Sequence, residues 1–252
     1  MIPDWQRQQG FALRCEWGAI GAQTLIGAHD IAVVVDVLSF STTVSVAMDR
    51  GMRIRPRDAL AVSAADASSA FPCAARREDV DAEHPWSLSP LTIRNGPYVP
   101  ELVLPSPNGA AVSQAAVASG AVVFAGGLRN ARATASAIAA ARAGSGSIVV
   151  IPAGERWPDQ SLRPAIEDLL GAGAVIAALV DACGLAGDAS SPEAELALRA
   201  FRTTHDLRDA IMGSVSGREL LTRGLASEIE IACEFDASDH AARFLDGAFS
   251  RA

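Results

Sequence analysis

Apolar residues along this chain fall into short continuous runs that alternate with longer segments of helical spacing. The clearest run is IAVVVDVL at 31–38, which predicts a buried strand with Asp36 near its carboxyl end. The hydroxyl-rich segment after it predicts a turn and a helix that ends at Gly51. A second strand is predicted at 52–56, and residues 58–70 have the pattern of another helix. Strand, turn, helix and glycine in this order are typical of an α/β unit.

The same order continues through the middle of the chain. Three further apolar runs predict strands at 101–105, 121–127 and 147–155, and an alanine- or leucine-rich helical segment follows each of them. Residues 72–100 differ, because they are rich in proline and charge and show little periodicity. We therefore expect 72–100 to be an irregular stretch that borders a functional site.

The last third of the chain predicts mostly helices. Amphipathic helices are expected at 191–204 and 214–224, whereas the run at 175–184 is compatible with a helix or a strand. The segment IEIACEF at 229–235 predicts a late strand, and the final residues predict a short helix.

These elements predict a single α/β domain over 1–252 with a three-layer α/β/α architecture and a central sheet that is mostly parallel or mixed. Residues 31–54 and 148–176 share the order of strand, acidic residue, polar loop and helix. This order indicates either two pseudo-repeated halves near 1–125 and 126–252 or simply the common pattern of α/β proteins. A repeat would place Asp36 and Glu155 at equivalent strand ends, where open α/β sheets bind ligands.

Composition and charge narrow the classes of partner. Half of the residues are hydrophobic and the net charge is −8, which disfavours nucleic acid and anionic membranes as partners. The N-terminus lacks a signal-peptide core and no apolar run approaches the roughly 20 residues of a membrane span, so a cytoplasmic location is expected. The four cysteines are scattered and predict reduced, mostly buried thiols. A homodimer is the general expectation for a soluble oligomer.

The first candidate site is DVLSFSTT at 36–43. A divalent cation needs a carboxylate, which Asp36 supplies, and phosphate binding needs hydroxyl and N–H groups at a helix start, which Ser41, Thr42 and Thr43 could provide. The alternative is that a serine here only caps the helix and that Asp36 is a loop residue.

Two further segments add polar groups after predicted strands. The Asn108-Gly109 turn could direct a carboxamide and backbone amides at an anion, although Asn-Gly is also an ordinary turn signal. Residues 152–168 contain carboxylates and arginines that suit a metal-assisted phosphoryl site: Glu155, Arg156, Arg163, Glu167 and Asp168. The alternative is that Glu155 and Arg156 are solvent-exposed and that Glu167 and Asp168 lie on a helix surface.

Several other chemistries are disfavoured by missing motifs. The sequence contains no P-loop, no dinucleotide-binding glycine motif after a strand, no nucleophile elbow and no paired-histidine metal motif. It also lacks the cysteine-to-arginine spacing of cysteine-dependent phosphatases.

Taken together and in this order, VVVDVLSFSTT, the NG turn, VVIPAGER, SLRPAIEDLLGAGA and SGREL resemble the 2-phosphosulfolactate phosphatase family. The resemblance implies an α/β/α fold and Mg²⁺-dependent hydrolysis of 2-phospho-3-sulfolactate, a step of coenzyme M biosynthesis. Three positions depart from the family pattern: Ser39 replaces an arginine, Leu88 an asparagine and Ala110 a threonine. The fold and the metal chemistry therefore transfer better than the identity of the substrate.

We expect Asp36, Glu155 and Asp168 to hold Mg²⁺, with Asp36, Glu155 and Arg156 catalytic. The anion oxygens of the substrate are expected to contact six residues: Ser41, Thr42, Thr43, Asn108, Gly109 and Arg163. Attack by water is favoured over a phospho-enzyme because no D-x-D pair is present around Asp36. Two alternatives stay open at this point. One is a different Mg²⁺-dependent phosphatase that acts on an ordinary phosphorylated hydroxy acid. The other is a non-catalytic protein that binds a small anion on the same scaffold.

Overall fold

A computed structural model describes residues 2–59, 70–142 and 146–252 of the chain. Its strands are β1 (Leu13–Cys15), β2 (Ile31–Val35), β3 (Arg53–Asp58), β4 (Glu101–Ser106), β5 (Val122–Ala125), β6 (Ile148–Pro152), β7 (Glu155–Arg156), β8 (Leu162–Arg163), β9 (Ala242–Leu245) and β10 (Ala248–Arg251). Its helices are α1 (Gly18–Leu25), α2 (Phe40–Asp49), α3 (Pro90–Asn95), α4 (Gly109–Ala118), α5 (Ala131–Ala141), α6 (Ile166–Cys183), α7 (Pro192–Thr203), α8 (Leu207–Gly213), α9 (Val215–Thr222) and α10 (Ala226–Ala232).

Eight strands form one mixed sheet in the order β1-β6-β2-β5-β9-β10-β3-β4. The strands β1, β6, β2 and β5 are parallel, as are β3 and β4, and the antiparallel hairpin of β9 and β10 joins these two groups. The predicted α/β class with a central mixed sheet is therefore confirmed. The sheet draws strands from both predicted halves of the chain, and the pseudo-repeat stays a prediction.

Side chains that alternate along the central strands build one core on each face of the sheet. In β2, Val33 and Val35 pack in the core that α5–α9 cover, and Ala32 and Val34 pack in the core that α1–α4 cover. Helix α10 contributes Ile229 to the first core and the neighbouring Ile231 to the second. A strand that is apolar on both faces is expected when helices cover both sides of a sheet.

Helix α2 is buried along almost its whole length, from Phe40 to Met48. It packs against β2 and β5 and also against β3, β9 and β10 of the other strand group. The hydroxyl groups in its first turn are therefore buried.

Two secondary-structure predictions near the C-terminus were wrong. Residues 229–235 do not form a strand, because their first four residues belong to the helix α10. Its buried residues Glu228 and Ala232 lie four positions apart, which places them on one face of a helix. The final residues form the β9–β10 hairpin and not a helix. Asp246 and Gly247 connect the two strands, and both have positive φ angles (52° and 82°), as a two-residue hairpin turn requires.

Other predictions differ in smaller ways. The ambiguous run at 175–184 continues α6, and the stretch predicted to be irregular contains the short helix α3. The predicted helix at 58–70 falls mostly on residues 60–69, outside the described residues. Of the four cysteines only Cys15 is buried, and Cys73 is exposed, so the prediction of mostly buried thiols was wrong. No helix in the described ranges is long and apolar enough to cross a bilayer.

Candidate active site

A polar cavity of about 220 Å³ lies where β2 and β6 end and where α2, α4 and α9 begin. Its polar lining includes Asp36, Ser39, Arg77, Asn108, Glu155, Ser216 and Arg223. Because β2 and β6 are neighbouring parallel strands, their carboxyl ends meet at the same edge of the sheet. This is the edge at which α/β proteins bind ligands.

Asp36 follows β2 and joins the beginnings of two helices. Its Oδ1 accepts a hydrogen bond from the backbone N–H of Phe40 in α2 (3.1 Å), and its Oδ2 accepts one from Gly109 in α4 (2.8 Å). A Cβ atom on Gly109 would lie 2.5 Å from the Phe40 ring and 2.7 Å from Asp36 Oδ2, so this close approach requires glycine. The carboxylate therefore lies between the positive ends of two helix dipoles.

Asp168, in the first turn of α6, forms a similar bridge between two loops. Its Oδ1 accepts a hydrogen bond from the N–H of Val37 (2.7 Å), and its Oδ2 accepts one from Gly154 (2.8 Å). These N–H groups follow β2 and β6, so Asp168 ties the two strand ends together. Its side chain is buried and is not part of the cavity lining.

Glu167 precedes Asp168 and is also buried, with 2% of its surface exposed. Its Oε2 has no hydrogen-bond partner in the part of the chain that the structure describes. The alternative that Glu167 and Asp168 lie on a helix surface is therefore wrong. Helix α6 packs against the sheet, α5 and α7, so its first turn is enclosed beside the strand ends.

Glu155, Asn108 and Arg156 form a hydrogen-bonded chain beside the cavity, and of these three Glu155 and Asn108 line it whereas Arg156 does not. Asn108 Nδ2 donates to Glu155 Oε2 (2.9 Å), and Arg156 Nε donates to Asn108 Oδ1 (3.1 Å). The Arg156 guanidinium also donates to the carbonyl of Pro107 (3.0 Å). Asn108 therefore uses both ends of its amide to fix a carboxylate and an arginine, which is more than a turn residue would do.

Arg163 lies across the β7–β8 hairpin from Glu155. Its Nη2 donates to Ser216 Oγ in α9 (3.1 Å), and its guanidinium lies 5.9 Å from the centre of the Trp157 ring. Arg163 thus connects this hairpin to α9 and brings a positive charge towards Glu155.

The three hydroxyl residues predicted to hold an anion are not part of the cavity lining. Ser41 Oγ donates to the carbonyl of Asp36 (2.8 Å), and Thr42 Oγ1 donates to the carbonyl of Val37 (2.8 Å). Thr43 Oγ1 is buried and has no partner among the described residues. These contacts fix the beginning of α2, and the anion-binding role of the three hydroxyls stays a prediction.

Burial and mutual repulsion raise the pKa values of the carboxyl groups. Burial raises the pKa of Asp36 to about 6, although the N–H groups of Phe40 and Gly109 oppose the shift. Burial, followed by the charges of Asp36 and Glu167, raises the pKa of Glu155 to about 7. The same causes raise the pKa of Asp168 well above its usual value. Burial is the largest cause of each raised value and repulsion between the carboxyl groups is the second, and a cation bound beside these groups would lower their pKa values.

Sequence reasoning missed the ion pair of Arg77 and Glu228 beside Ser39. Arg77 Nη2 lies 2.7 Å from Glu228 Oε2 and donates to Ser39 Oγ (3.0 Å). Arg77 comes from the stretch predicted to border a site, which was the available signal. Glu228 directly precedes the strand predicted at 229–235, in a segment for which no element was predicted.

The donor chemistry of the site fits Mg²⁺. Mg²⁺ is usually held by one or two carboxylates together with substrate phosphate oxygens and water, and Asp36 and Glu155 both line the cavity. Within the described ranges, no three acidic, histidine or cysteine side chains form a complete metal-binding group. Two carboxylates are sufficient if phosphate oxygens of the substrate and water supply the remaining ligands of the cation.

Comparison with curated proteins gives no match. A family model described as 2-phosphosulpholactate phosphatase matches residues 22–245 of the 252-residue chain. The matched range includes all the cavity-lining residues from Asp36 to Arg223. The chain therefore belongs to the 2-phosphosulpholactate phosphatase family.

Proposed function

We propose that this protein hydrolyses the phosphate ester of a small anionic acid, 2-phosphosulfolactate or a close relative, with Mg²⁺ as cofactor. The observation that carries the proposal is the position of Asp36 in a polar cavity that it shares with Glu155, between the starts of α2 and α4. Membership of the family supports the same reaction.

The phosphate group would lie against the beginnings of α2 and α4. Helix N-termini attract anions because their first N–H groups lack partners within the helix and their dipoles are positive at this end. Asp36 already accepts a hydrogen bond from each helix, so its charge would repel a bare phosphate. Asp36 would tolerate a phosphate beside it if it held a divalent cation that neutralised its charge.

Asp36 and Glu155 would hold Mg²⁺, and Asp168 would fix the two strand ends beside them. When bound, the cation neutralises the phosphate oxygens and makes the phosphorus more open to attack. Arg156, held by Asn108 and Pro107, and Arg163, held by Ser216, would stabilise the negative charge that develops during transfer.

Glu155 is also suited to moving a proton. Asn108 holds its Oε2, which fixes the direction of the carboxyl group. Without bound metal, a pKa of about 7 leaves both protonation states of Glu155 populated near neutral pH, and a bound cation would lower this pKa and favour the ionised form. Once substrate is bound, an ionised Glu155 oxygen that does not contact the cation would accept a proton from the attacking water, and we favour water as the nucleophile.

The test is phosphate release from four substrates: phosphosulfolactate, phospholactate, phosphoglycerate and an aryl phosphate. Each is assayed with Mg²⁺ and with EDTA. We expect release that requires Mg²⁺ and prefers a substrate with an acid group. Asp36→Ala should abolish it, and Asp181→Ala, on the exposed face of α6, is the matched control that should keep it. Absence of release from every substrate by folded wild-type protein with Mg²⁺ would contradict the proposal. The non-catalytic anion-binding protein would then be the alternative.

A further inference from the structure

Arg77 lies at the wall of the cavity, at the start of the short 3₁₀ turn Arg77–Asp79. A bridge between Ala75 and Ser87 closes the chain around this turn and fixes its position. Burial raises the pKa of Asp36, and the positive charge of Arg77 opposes that shift, so the guanidinium is within electrostatic reach of the proposed reaction site.

Two residues from distant elements hold the Arg77 guanidinium. Glu228, in α10, has 1% of its side chain exposed and pairs with Arg77 through both carboxylate oxygens (2.7 and 3.4 Å). Ser39, immediately before α2, accepts a hydrogen bond from Nη2 at 3.0 Å. Breaking a buried ion pair is costly because it leaves one charge uncompensated, so Glu228 keeps Arg77 in one orientation.

One edge of the guanidinium is still available. Nε and Nη2 donate to Glu228 and Ser39, whereas Nη1 donates to no acceptor among the residues that the structure describes. Arg156 differs, because its donors contact Asn108 and Pro107. Arg77 therefore combines a fixed position, a place in the cavity wall and N–H groups that a ligand can use.

We infer that Arg77 binds the acid group, carboxylate or sulfonate, that the substrate carries in addition to its phosphate. The inference rests on the proposed phosphatase function and specifies which residue selects the substrate. The two N–H groups of Nη1 can donate charge-assisted hydrogen bonds to the oxygens of such a group. Ser39 and Glu228 are then positioning residues that hold Arg77 in place.

The test compares substrates with and without the acid group. Wild type, Arg77→Ala and Arg77→Lys are assayed on phosphosulfolactate, phospholactate and an aryl phosphate. For Arg77→Ala we expect KM to rise about 10-fold to 100-fold on the two acids, with kcat nearly unchanged. On the aryl phosphate, kcat/KM should change by less than about 2-fold. Arg77→Lys should be intermediate because lysine keeps the charge but loses the planar fork.

Two further variants separate binding from folding. Arg76→Ala removes the exposed neighbouring arginine and should match wild type on all three substrates. Ser39→Ala keeps the Arg77–Glu228 pair and should raise KM for the acids by about 2-fold to 5-fold. If circular dichroism shows that Arg77→Ala does not fold, the KM values of Arg77→Lys and Ser39→Ala on the acid substrates test the inference instead. An equal loss on all three substrates, or no loss on any, overturns the inference.

Calorimetry distinguishes failure of this inference from failure of the phosphatase proposal. If the wild type releases no phosphate, binding of sulfolactate is measured for wild type and Arg77→Lys. Binding to wild type that weakens in the variant supports the role of Arg77 and rejects only the hydrolysis. Equal binding to both, or no binding to wild type, overturns the inference.

Discussion

Asp36 and Asp168 contact the backbone in the same manner but have different access to the cavity. Each carboxylate accepts one hydrogen bond per oxygen from two separate segments of the chain. Asp36 bridges two helix starts and lines the cavity, whereas Asp168 bridges two strand ends and is enclosed. The same pattern of hydrogen bonds therefore occurs at an accessible and at an enclosed carboxylate, so hydrogen bonds alone do not distinguish them, and we expect access to the cavity to decide which one acts on the substrate.

The largest expected effect is on kcat and concerns Asp36, the carboxylate that lines the cavity. Asp36→Asn should lower kcat on the preferred substrate by on the order of 10³-fold, because the amide cannot supply the negative charge at the reaction site. Asp168→Asn should lower kcat by only about 10-fold, since it acts through the position of the strand ends. Steady-state kinetics on folded variants measure the ratio. Equal losses of kcat for the two variants would show that access to the cavity does not separate the roles of Asp36 and Asp168.

The second effect is on stability and concerns Asp168, the enclosed carboxylate. Asp168→Ala should lower the free energy of unfolding by about 3 kcal/mol, because two buried N–H groups lose their acceptor. Urea unfolding at about pH 5 is the best measurement, since the carboxyl groups with raised pKa values then hold protons and their repulsion contributes little. Exposed Asp181→Ala is the control. A loss below about 1 kcal/mol would show that water replaces the acceptor.

The third effect is a pH dependence of stability from Glu155. Its pKa is about 7 in the folded protein, above the ordinary glutamate value of 4.5 that applies to the unfolded chain, so the folded state binds the proton more tightly. This group's contribution to stability is therefore present at low pH and falls as pH rises from about 4.5 to 7. Without metal, Glu155→Gln should be more stable than wild type by on the order of 2 kcal/mol above this window and equal to it below.

Urea titrations of both proteins in EDTA across the pH range check this prediction. A variant at Glu230, which is exposed and paired with Arg208, serves as the control with no such window. If the difference between wild type and Glu155→Gln does not change with pH, the carboxyl group of Glu155 is not held in a protonated state by its neighbours.

The smallest effect concerns the interior of α2. Thr43→Val should change KM by less than about 2-fold and stability by less than about 1 kcal/mol, because the buried hydroxyl makes no hydrogen bond in the described structure. Thr42→Val loses the bond to the carbonyl of Val37 and should cost about 1 kcal/mol. A large rise of KM in Thr43→Val would instead support the predicted contact with the anion.

Local signals predicted part of the fold and missed another part. The run at 31–38 and the turn at Asn108 were recognised because strand and turn signals depend on neighbouring residues. The Asp246-Gly247 pair between two apolar segments is the strongest short hairpin signal, yet this region had been assigned to a helix. At 229–235 alternation suggested a strand, but the buried positions follow helical spacing once Glu228 is included.

The sequence alone determined the α/β class, the strand that carries Asp36 and the acidic and amide residues that lie near one another at the strand ends. These features follow from periodicity and from short loops after strands, which are local properties. The tertiary structure decided which carboxylate faces the cavity and which is enclosed, and it paired Arg77 with Glu228 across 151 positions of sequence. The physical reason is that exposure and ion pairing depend on how distant elements pack, and a linear pattern does not record that packing.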